Sequence, residues 1–399
     1  MAYFDPEQLF EAMVDAAPDV SDLNLSVGAA PQIEVDGKLR QVEFAGLKRL
    51  LPYHTELIAM RLLNDNVELA DRLIETGSVD LSYSLRQKAR FRVNVFSQRG
   101  TYSIVLRVIA NEVPRFEDLG LPSTLKAIAH ERNGIVLVTG PTGSGKSTTL
   151  AAIINKMNEE REIHIITIED PIEYLHTHKK AIINQREVGG DTKSFALALR
   201  AALRQAPKVI LVGEMRDVET ISTALEAAET GHLVLSTLHT IDAAKTVDRI
   251  IGVFPKNEER QVRTRFAQSF RWIVSQKLIP KKGGGRTALC EILRATSRTR
   301  EYIQEGERDG RSLLDAMSDG ALDGMQTFDG ELLRLINEGA MDAELALSHA
   351  TNPTNLRLRL GFDSDGNDAS AAPAEPAPAA TPETVEPVMD SDLESMIER

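Results

Sequence analysis

The sequence predicts an α/β chain in two parts: a small module on an antiparallel sheet, then a larger one on a parallel sheet with a helical C-terminal region. Three observations carry this. Four short apolar runs, "GIVLVTG", "IHIITIED", "KVILVGE" and "HLVLSTLH", alternate with helical patterns, as strands of a parallel sheet covered on both faces do. The first hundred residues instead mix helical spacing with hairpin turns. From Phe362 the chain is rich in Ala, Pro, Asp and Glu and cannot bury enough apolar surface to fold alone.

Length and composition agree. A chain of 399 residues with 42% apolar content is long enough for two or three domains with real cores. The formal charge is −13, but the segment after Gly361 holds about ten acids and one Arg, roughly −9 of it. The folded part is mildly acidic, which argues against nucleic acid as a partner. Cys290 is the single cysteine, so no intrachain disulfide forms, no Cys/His cluster has zinc spacing, and a reducing compartment is favoured. The N-terminus "MAYFDPEQLF" has acids where a signal peptide has Lys or Arg. No apolar run approaches the roughly 18 residues of a membrane span, so the expected location is cytoplasmic, with membrane association only through partners.

Taken in order, residues 1–110 open with "DLNLSVGAAPQIEVDGKLRQV", read as strand, loop, strand and an Asp36-Gly37 hairpin turn, because Asp-Gly tolerates positive φ. "HTELIAMRLLNDNVELADRLIETG" has helical spacing and stops at Gly77. "VDLSYSL", "ARFRVNVFSQRG" and "TYSIVLRVI" give three strands, the last two joined at Arg99-Gly100. Two prolines and weak periodicity make 111–123 an interdomain linker. Residues 124–361 form the second domain, mostly helical beyond Asn257 apart from a hairpin around "PKKGGGRTALCEIL". Residues 362–399 are the acidic tail, where Ser391 and Glu394 have capping-box spacing and Leu393, Met396 and Ile397 share one helical face. A solubilising tail is the default for such a segment, with a short docking peptide as the alternative.

The strongest local motif is "GPTGSGKST": Gly140, Pro141, Thr142, Gly143, Ser144, Gly145, Lys146, Ser147 and Thr148, between a strand and a helix. This is the P-loop pattern. Its glycines let backbone N–H groups converge on phosphate oxygens at a helix N-terminus. Lys146 would reach the β and γ phosphates of ATP, and Ser147 would ligate Mg²⁺. Two later strands end in acids, one in Glu169, Asp170 and Glu173, the other in Glu214. Such acids are ordinarily solvated caps. Beside a P-loop, at the carboxyl ends of a parallel sheet, one is expected to hold Mg²⁺ through water, assigned to Asp170, and another to orient the attacking water.

"GHLVLSTLHT" places His232 and His239 at the two ends of one apolar strand. If that strand joins the sheet, His239 lies at its carboxyl end, in reach of the γ-phosphate edge or a Glu carboxylate. His232 would reach the same site only if a loop brought it there. The P-loop region shows no nearby basic residue to complement transition-state charge. Arg90, Arg92, Arg99 and Arg107, one domain away, are the candidates for an arginine finger given to a neighbouring subunit of a ring.

The succession GPTGSGKST, TIEDPIEY, LVGEMRDVETISTALEAAETGH and STLHTIDAAKTVDRI resembles the hexameric secretion ATPases, and within them the pilus retraction ATPases of twitching motility. The resemblance runs from about residue 5 to residue 360. It implies an N-terminal PAS-like domain and a RecA-like ATPase core assembled as a homo-hexamer, acting on an inner-membrane pilus platform protein, with a paralogous retraction ATPase as a further partner. It implies an acidic box at Glu169 to Glu173, a Walker B glutamate at Glu214 as water activator, a box containing both histidines, and Arg90, Arg92 and Arg107 reaching the nucleotide on domain closure. There are departures. Ala206-Pro207-Lys208 replaces Asp-Pro-Asp, Asn24 replaces a histidine, and "SRTREYIQEGERDG", with Thr299, Arg300 and Glu301, replaces the Ala-Ile-Arg-Asn-Leu element of retraction motors. The last fits an accessory retraction paralogue, which has a similar "MQTFD" region and a longer tail. The alternatives are a pilus or type II secretion assembly ATPase, many of which carry a four-cysteine element, and a nucleotide-binding adaptor docked on a partner motor.

Overall fold

A computed structural model of the chain describes residues 4–44, 46–86, 88–109, 113–282, 284–308 and 310–361. The expected tail features at Ser391, Leu393, Glu394, Met396 and Ile397 lie outside them.

The N-terminal part contains α1 (Pro6–Asp15), β1 (Asp22–Leu25), β2 (Gln32–Val35), β3 (Lys38–Gln41), α2 (Pro52–Leu63), α3 (Val67–Thr76), β4 (Ser78–Leu85), β5 (Ala89–Gln98) and β6 (Thr101–Ile109). Its strands form an antiparallel sheet ordered β3-β2-β1-β6-β5-β4. Asp36 and Gly37 both take positive φ in the β2–β3 turn, as do Arg99 and Gly100 between β5 and β6. The helical stretch that ends at Gly77 is two helices. Asn64 and Asp65 turn left-handed, and the Asn66 side chain caps α3 by accepting from Leu69 N at 3.1 Å. Asn and Asp tolerate that conformation and favour caps over helix interiors, so "NDN" breaks the run. Along β5, Phe91, Val93 and Val95 are buried against Phe10, Met13 and Ile58. Period-2 alternation puts Arg90, Arg92 and Asn94 on the opposite face.

The second part runs β7 (Gly134–Thr139), α4 (Lys146–Glu160), β8 (His164–Glu169), β9 (Ile182–Glu187), α5 (Phe195–Ala202), β10 (Val209–Val212), α6 (Val218–Glu229), β11 (Leu233–Leu238), α7 (Ala243–Gly252), α8 (Glu259–Ser269), β12 (Phe270–Pro280) and β13 (Arg286–Arg294), then five short helices α9 (Ser297–Glu305), α10 (Leu313–Asp319), α11 (Phe328–Asn337), α12 (Ala343–His349) and α13 (Pro353–Arg359). The seven strands are ordered β13-β12-β7-β11-β10-β8-β9, parallel except for the β12–β13 hairpin. The four apolar runs are β7, β8, β10 and β11. Alternate residues of these strands serve different cores: Ile135, Leu137, Ile210 and Val234 pack under α5 to α8, while Val136, Val138, Val209 and Leu235 pack under α4. That explains the unbroken apolar runs.

Phe116, Leu125 and Ile128, in two short 3₁₀ segments ahead of β7, are buried in the α4 cluster. Beyond Asn257 the expected hairpin is present, but its first strand begins at Phe270 and joins the parallel sheet beside β7. Phe328, Leu332 and Leu356 of α11 and α13 close over the hairpin at Ile279 and Leu289. Thr299 stands in the first turn of α9, where its hydroxyl donates to the Arg294 carbonyl at 2.8 Å. Among the described residues no helix is long and apolar enough to cross a membrane.

Candidate nucleotide site

The P-loop connects β7 to α4 at the carboxyl edge of the seven-stranded sheet. Gly140, Gly143 and Gly145 all take positive φ, which L side chains resist. A Cβ on Gly140 would collide with the Gln276 carbonyl, so β12 backs the loop closely. Gln276 holds it from behind: its amide donates to the Ser144 carbonyl at 2.7 Å, and its Oε1 accepts from Thr149 Oγ1 at 2.8 Å. At Gly143, by contrast, a Cβ would meet nothing within 4 Å, so the outer side of the loop is open. Gly145 caps α4 without a side-chain hydrogen bond, leaving the first-turn N–H groups of a 15-residue helix directed outward as an anion cradle.

Lys146 is nine-tenths buried, and its ammonium donates to the carbonyls of Gly140 at 2.9 Å and Pro141 at 3.0 Å. Burial lowers its pKa, and the Glu214 and Glu173 carboxylates act in the opposite sense. Ser144 Oγ is buried without a partner. Thr148 Oγ1 shares a hydrogen bond with Tyr174 OH at 3.0 Å.

The acids expected at the neighbouring strand ends are there. Glu169, Asp170, Glu173 and Glu214 line one cleft of about 660 Å³ with Thr142, Gly143, Gly145, Lys146, Ser147 and Thr148. Glu169 accepts from Thr167 Oγ1 at 2.6 Å and Gln185 Nε2 at 3.2 Å. Burial raises its pKa against those two bonds. Glu214 is held from both sides, with Arg216 Nε 2.5 Å from Oε1 and His239 Nε2 3.5 Å from Oε2. Thr237 Oγ1 donates to the Gly213 carbonyl at 2.6 Å and ties β11 to the turn that carries Glu214.

His239 and His232 therefore sit at the two strand ends where the strand reading placed them, and of the two only His239 lines the cleft. Leu238 accepts from the amide of Gly140 at the P-loop end of β7, whereas His232 accepts from Gly134 at the other end. The strand length puts the two histidines about 20 Å apart. No loop returns His232 to the cleft: its ring Nδ1 lies 3.0 Å from the Ala227 carbonyl and 3.3 Å from Thr230 Oγ1. The expected nucleotide contact of His232 is not made within this chain.

The arginines expected to act on domain closure or on a neighbouring subunit lie outside the cleft of this chain. None of Arg90, Arg92 and Arg107 lines the cleft. Arg90 donates to Glu187 Oε2 at 2.8 Å, Arg107 donates to Asp22 Oδ1 at 2.9 Å, and Arg92 is exposed directly across the sheet from Arg107. Conversely, the site is not without nearby basic groups, since Arg216 and Arg286 line it. Arg216 lies two residues after Glu214, an adjacency visible in "GEMRD". Arg286 comes from the start of β13 and Gln276 from β12. Only the placement of the hairpin beside β7 reveals them.

The chain matches the family model for type II/IV secretion system proteins over residues 11–284. It belongs to that family. It is 45% identical over 344 residues to the type IV pilus retraction ATPase PilT of Pseudomonas aeruginosa, covering 86% of this chain and 97% of that protein. It is 40% identical over 368 residues to the type IV pilus ATPase PilU of the same organism, covering 92% of this chain and 94% of the relative. A crystal structure of the pilus retraction motor PilT with bound ADP superposes with a TM-score of 0.78 at 43% identity, covering 89% of this chain and 100% of that one. The chain is thus a member of an ATPase family whose fold it shares throughout both sheets.

Proposed function

We propose that this chain is an ATP-hydrolysing motor that drives type IV pilus retraction, and so pilin disassembly and twitching motility. The observation that carries the reading is the convergence of the Lys146 cradle with Glu169, Asp170, Glu214 and His239 in one cleft. The identity to a retraction ATPase over 86% of the chain supports it.

In this reading the cradle amides and Lys146 bind the β and γ phosphates, and the partnerless Ser144 hydroxyl is a further donor facing the loop. Mg²⁺ fits a site of this kind. Ser147 and Asp170 line the cleft beside the cradle and would hold the ion together with phosphates and water. When bound, it supplies charge neutralisation at the phosphates. Glu214 orients the attacking water. Its bond to Arg216 fixes one oxygen, and His239 stands against the other, placed to register the γ-phosphate through the same carboxylate. Glu169, braced by Thr167 and Gln185, fixes the neighbouring strand end. Arg90, Arg92 and Arg107 reach a nucleotide only if the N-terminal sheet moves, which is the conformational work a motor requires.

The assembly proposed is a homo-hexameric ring in the cytoplasm, peripheral to the inner membrane through a pilus platform protein. The decisive experiment is Mg²⁺-dependent ATP turnover by the purified full chain beside Lys146→Ala, followed by pilus retraction in cells carrying each. Turnover lost in the variant, with retraction lost in parallel, is expected; retraction unaffected by Lys146→Ala would refute a motor role. A second reading is an accessory subunit that needs a paralogous ring. It is favoured by the PilU alignment, which spans 92% of this chain, and predicts ATP binding with turnover only when the paralogue is added.

A further inference from the structure

Glu187, at the end of β9, has no role in the site described above, yet it joins the two sheets. Its side chain is 9% exposed, and a carboxylate so buried requires partners. A single oxygen, Oε2, accepts from Arg90 Nη2 of the N-terminal sheet at 2.8 Å and from the backbone N–H of Ile172 at 3.1 Å. Ile172 is the buried centre of the loop whose Asp170, Pro171 and Glu173 line the nucleotide cleft. The turn beyond β9 fixes Glu187 in place, its own N–H donating to Asp191 Oδ2 at 2.8 Å. Lys193 and Glu68, 3.8 Å apart, also link the two parts, but both are more than four-fifths exposed and contribute little. Arg90 is only partly committed, because its Nε is buried without a partner. A guanidinium held through one nitrogen is readily exchanged to another anion that offers two acceptors.

We propose that Glu187 is a positioning residue that transmits the placement of the N-terminal sheet to the nucleotide cleft. While Arg90 is bound, the Glu187 carboxylate is fixed over Ile172 and the loop from Asp170 to Glu173 is held. When the sheet moves and Arg90 leaves, Glu187 loses its countercharge and the loop loosens. The inference rests on the nucleotide reading of the cleft, but its test does not require turnover. Amide hydrogen exchange at Ile172 is measured in the nucleotide-free full chain. Arg90→Ala lies in the other sheet, and Glu187→Gln keeps an oxygen for the Ile172 N–H while removing the charge that holds Arg90. Both should speed exchange at Ile172 by at least about threefold, with the pair of substitutions together adding little to either alone. Exchange at the parent rate in Arg90→Ala would overturn the coupling, since a purely local role for Glu187 would be blind to Arg90. ATP turnover of the parent chain with and without Lys146→Ala separates the two readings. Lys146-dependent turnover with Ile172 unmoved removes the coupling and leaves the nucleotide site standing. Faster Ile172 exchange with turnover insensitive to Lys146 removes the nucleotide role and leaves the Arg90–Glu187 link.

Discussion

The two edges of the seven-stranded sheet differ more than their sequences do. At the carboxyl edge, β7, β8, β10 and β11 end in the P-loop, Glu169, the turn to Glu214, and His239, and these groups face one cleft. At the amino edge the same strands begin at Gly134, His164, Val209 and Leu233, and polar side chains there satisfy nearby groups. His164 lies 3.1 Å from the Gln205 carbonyl and 2.9 Å from Asn184 Oδ1, and His232 keeps to the end of its own helix–strand turn. One strand thus carries the same residue type into two chemistries. Strand direction decides, because in a parallel sheet the loops that diverge to admit a ligand lie at one edge only.

The sharpest way to break this comparison is to remove charge from the carboxyl edge. Lys146→Ala should lower ATP turnover by about a thousandfold or more, and Glu214→Gln by about a hundredfold or more while ATP still binds, as steady-state hydrolysis and equilibrium binding would report. Near-parent hydrolysis in either would remove the cleft as the seat of chemistry. Next comes the strand itself. His239→Ala should cost roughly tenfold in kcat, the size expected of a group acting on the water-orienting carboxylate, and His232→Ala distinctly less. Equal losses would mean that the amino edge takes part, through a neighbouring subunit.

How far the sequence made this legible differs between the edges. The P-loop, the acids and His239 follow from local pattern and strand order, since a motif carries its own strand and helix. The resemblance groups His232 and His239 in one box, whereas distance along the strand separates them within this chain. Gln276, Arg286 and Glu187 left no local trace. Arg286 lines the cleft from β13, Gln276 backs the P-loop from β12, and Glu187 holds the Ile172 amide from β9; β9 reads "IINQRE", only a third apolar, and is an edge strand. Edge strands and long-range partners depend on which strand lies beside which, and periodicity does not record that.

Gln276 offers a smaller, buried test. Gln276→Ala strands the Ser144 carbonyl and the Thr149 hydroxyl, at a cost of about 1–3 kcal/mol for each group left unpaired. A lowered Tm and a nucleotide Kd raised about tenfold are expected; an unchanged Kd would show that the loop keeps its shape unaided. The smallest effect concerns pH. His176 lines the cleft, and burial pushes its imidazole down to about 4 from 6.5. The unfolded chain therefore binds this proton more readily, so the stabilisation is complete above about pH 6.5 and lost as pH falls through that value toward 4, by on the order of 2–3 kcal/mol. Thermal unfolding between about pH 7 and pH 4 should decline less steeply for His176→Gln than for the parent; parallel curves would place the proton uptake elsewhere.

The backing of the P-loop by β12 has a consequence for binding. A phosphate cradle already clamped by Gln276, with Gly140 pressed against the strand behind it, has less disorder to lose when a nucleotide arrives than an unbacked loop would. Pre-organisation of this kind lowers the ordering cost of binding. What remains to be ordered lies on the open side, at Gly143 and the Lys146 ammonium.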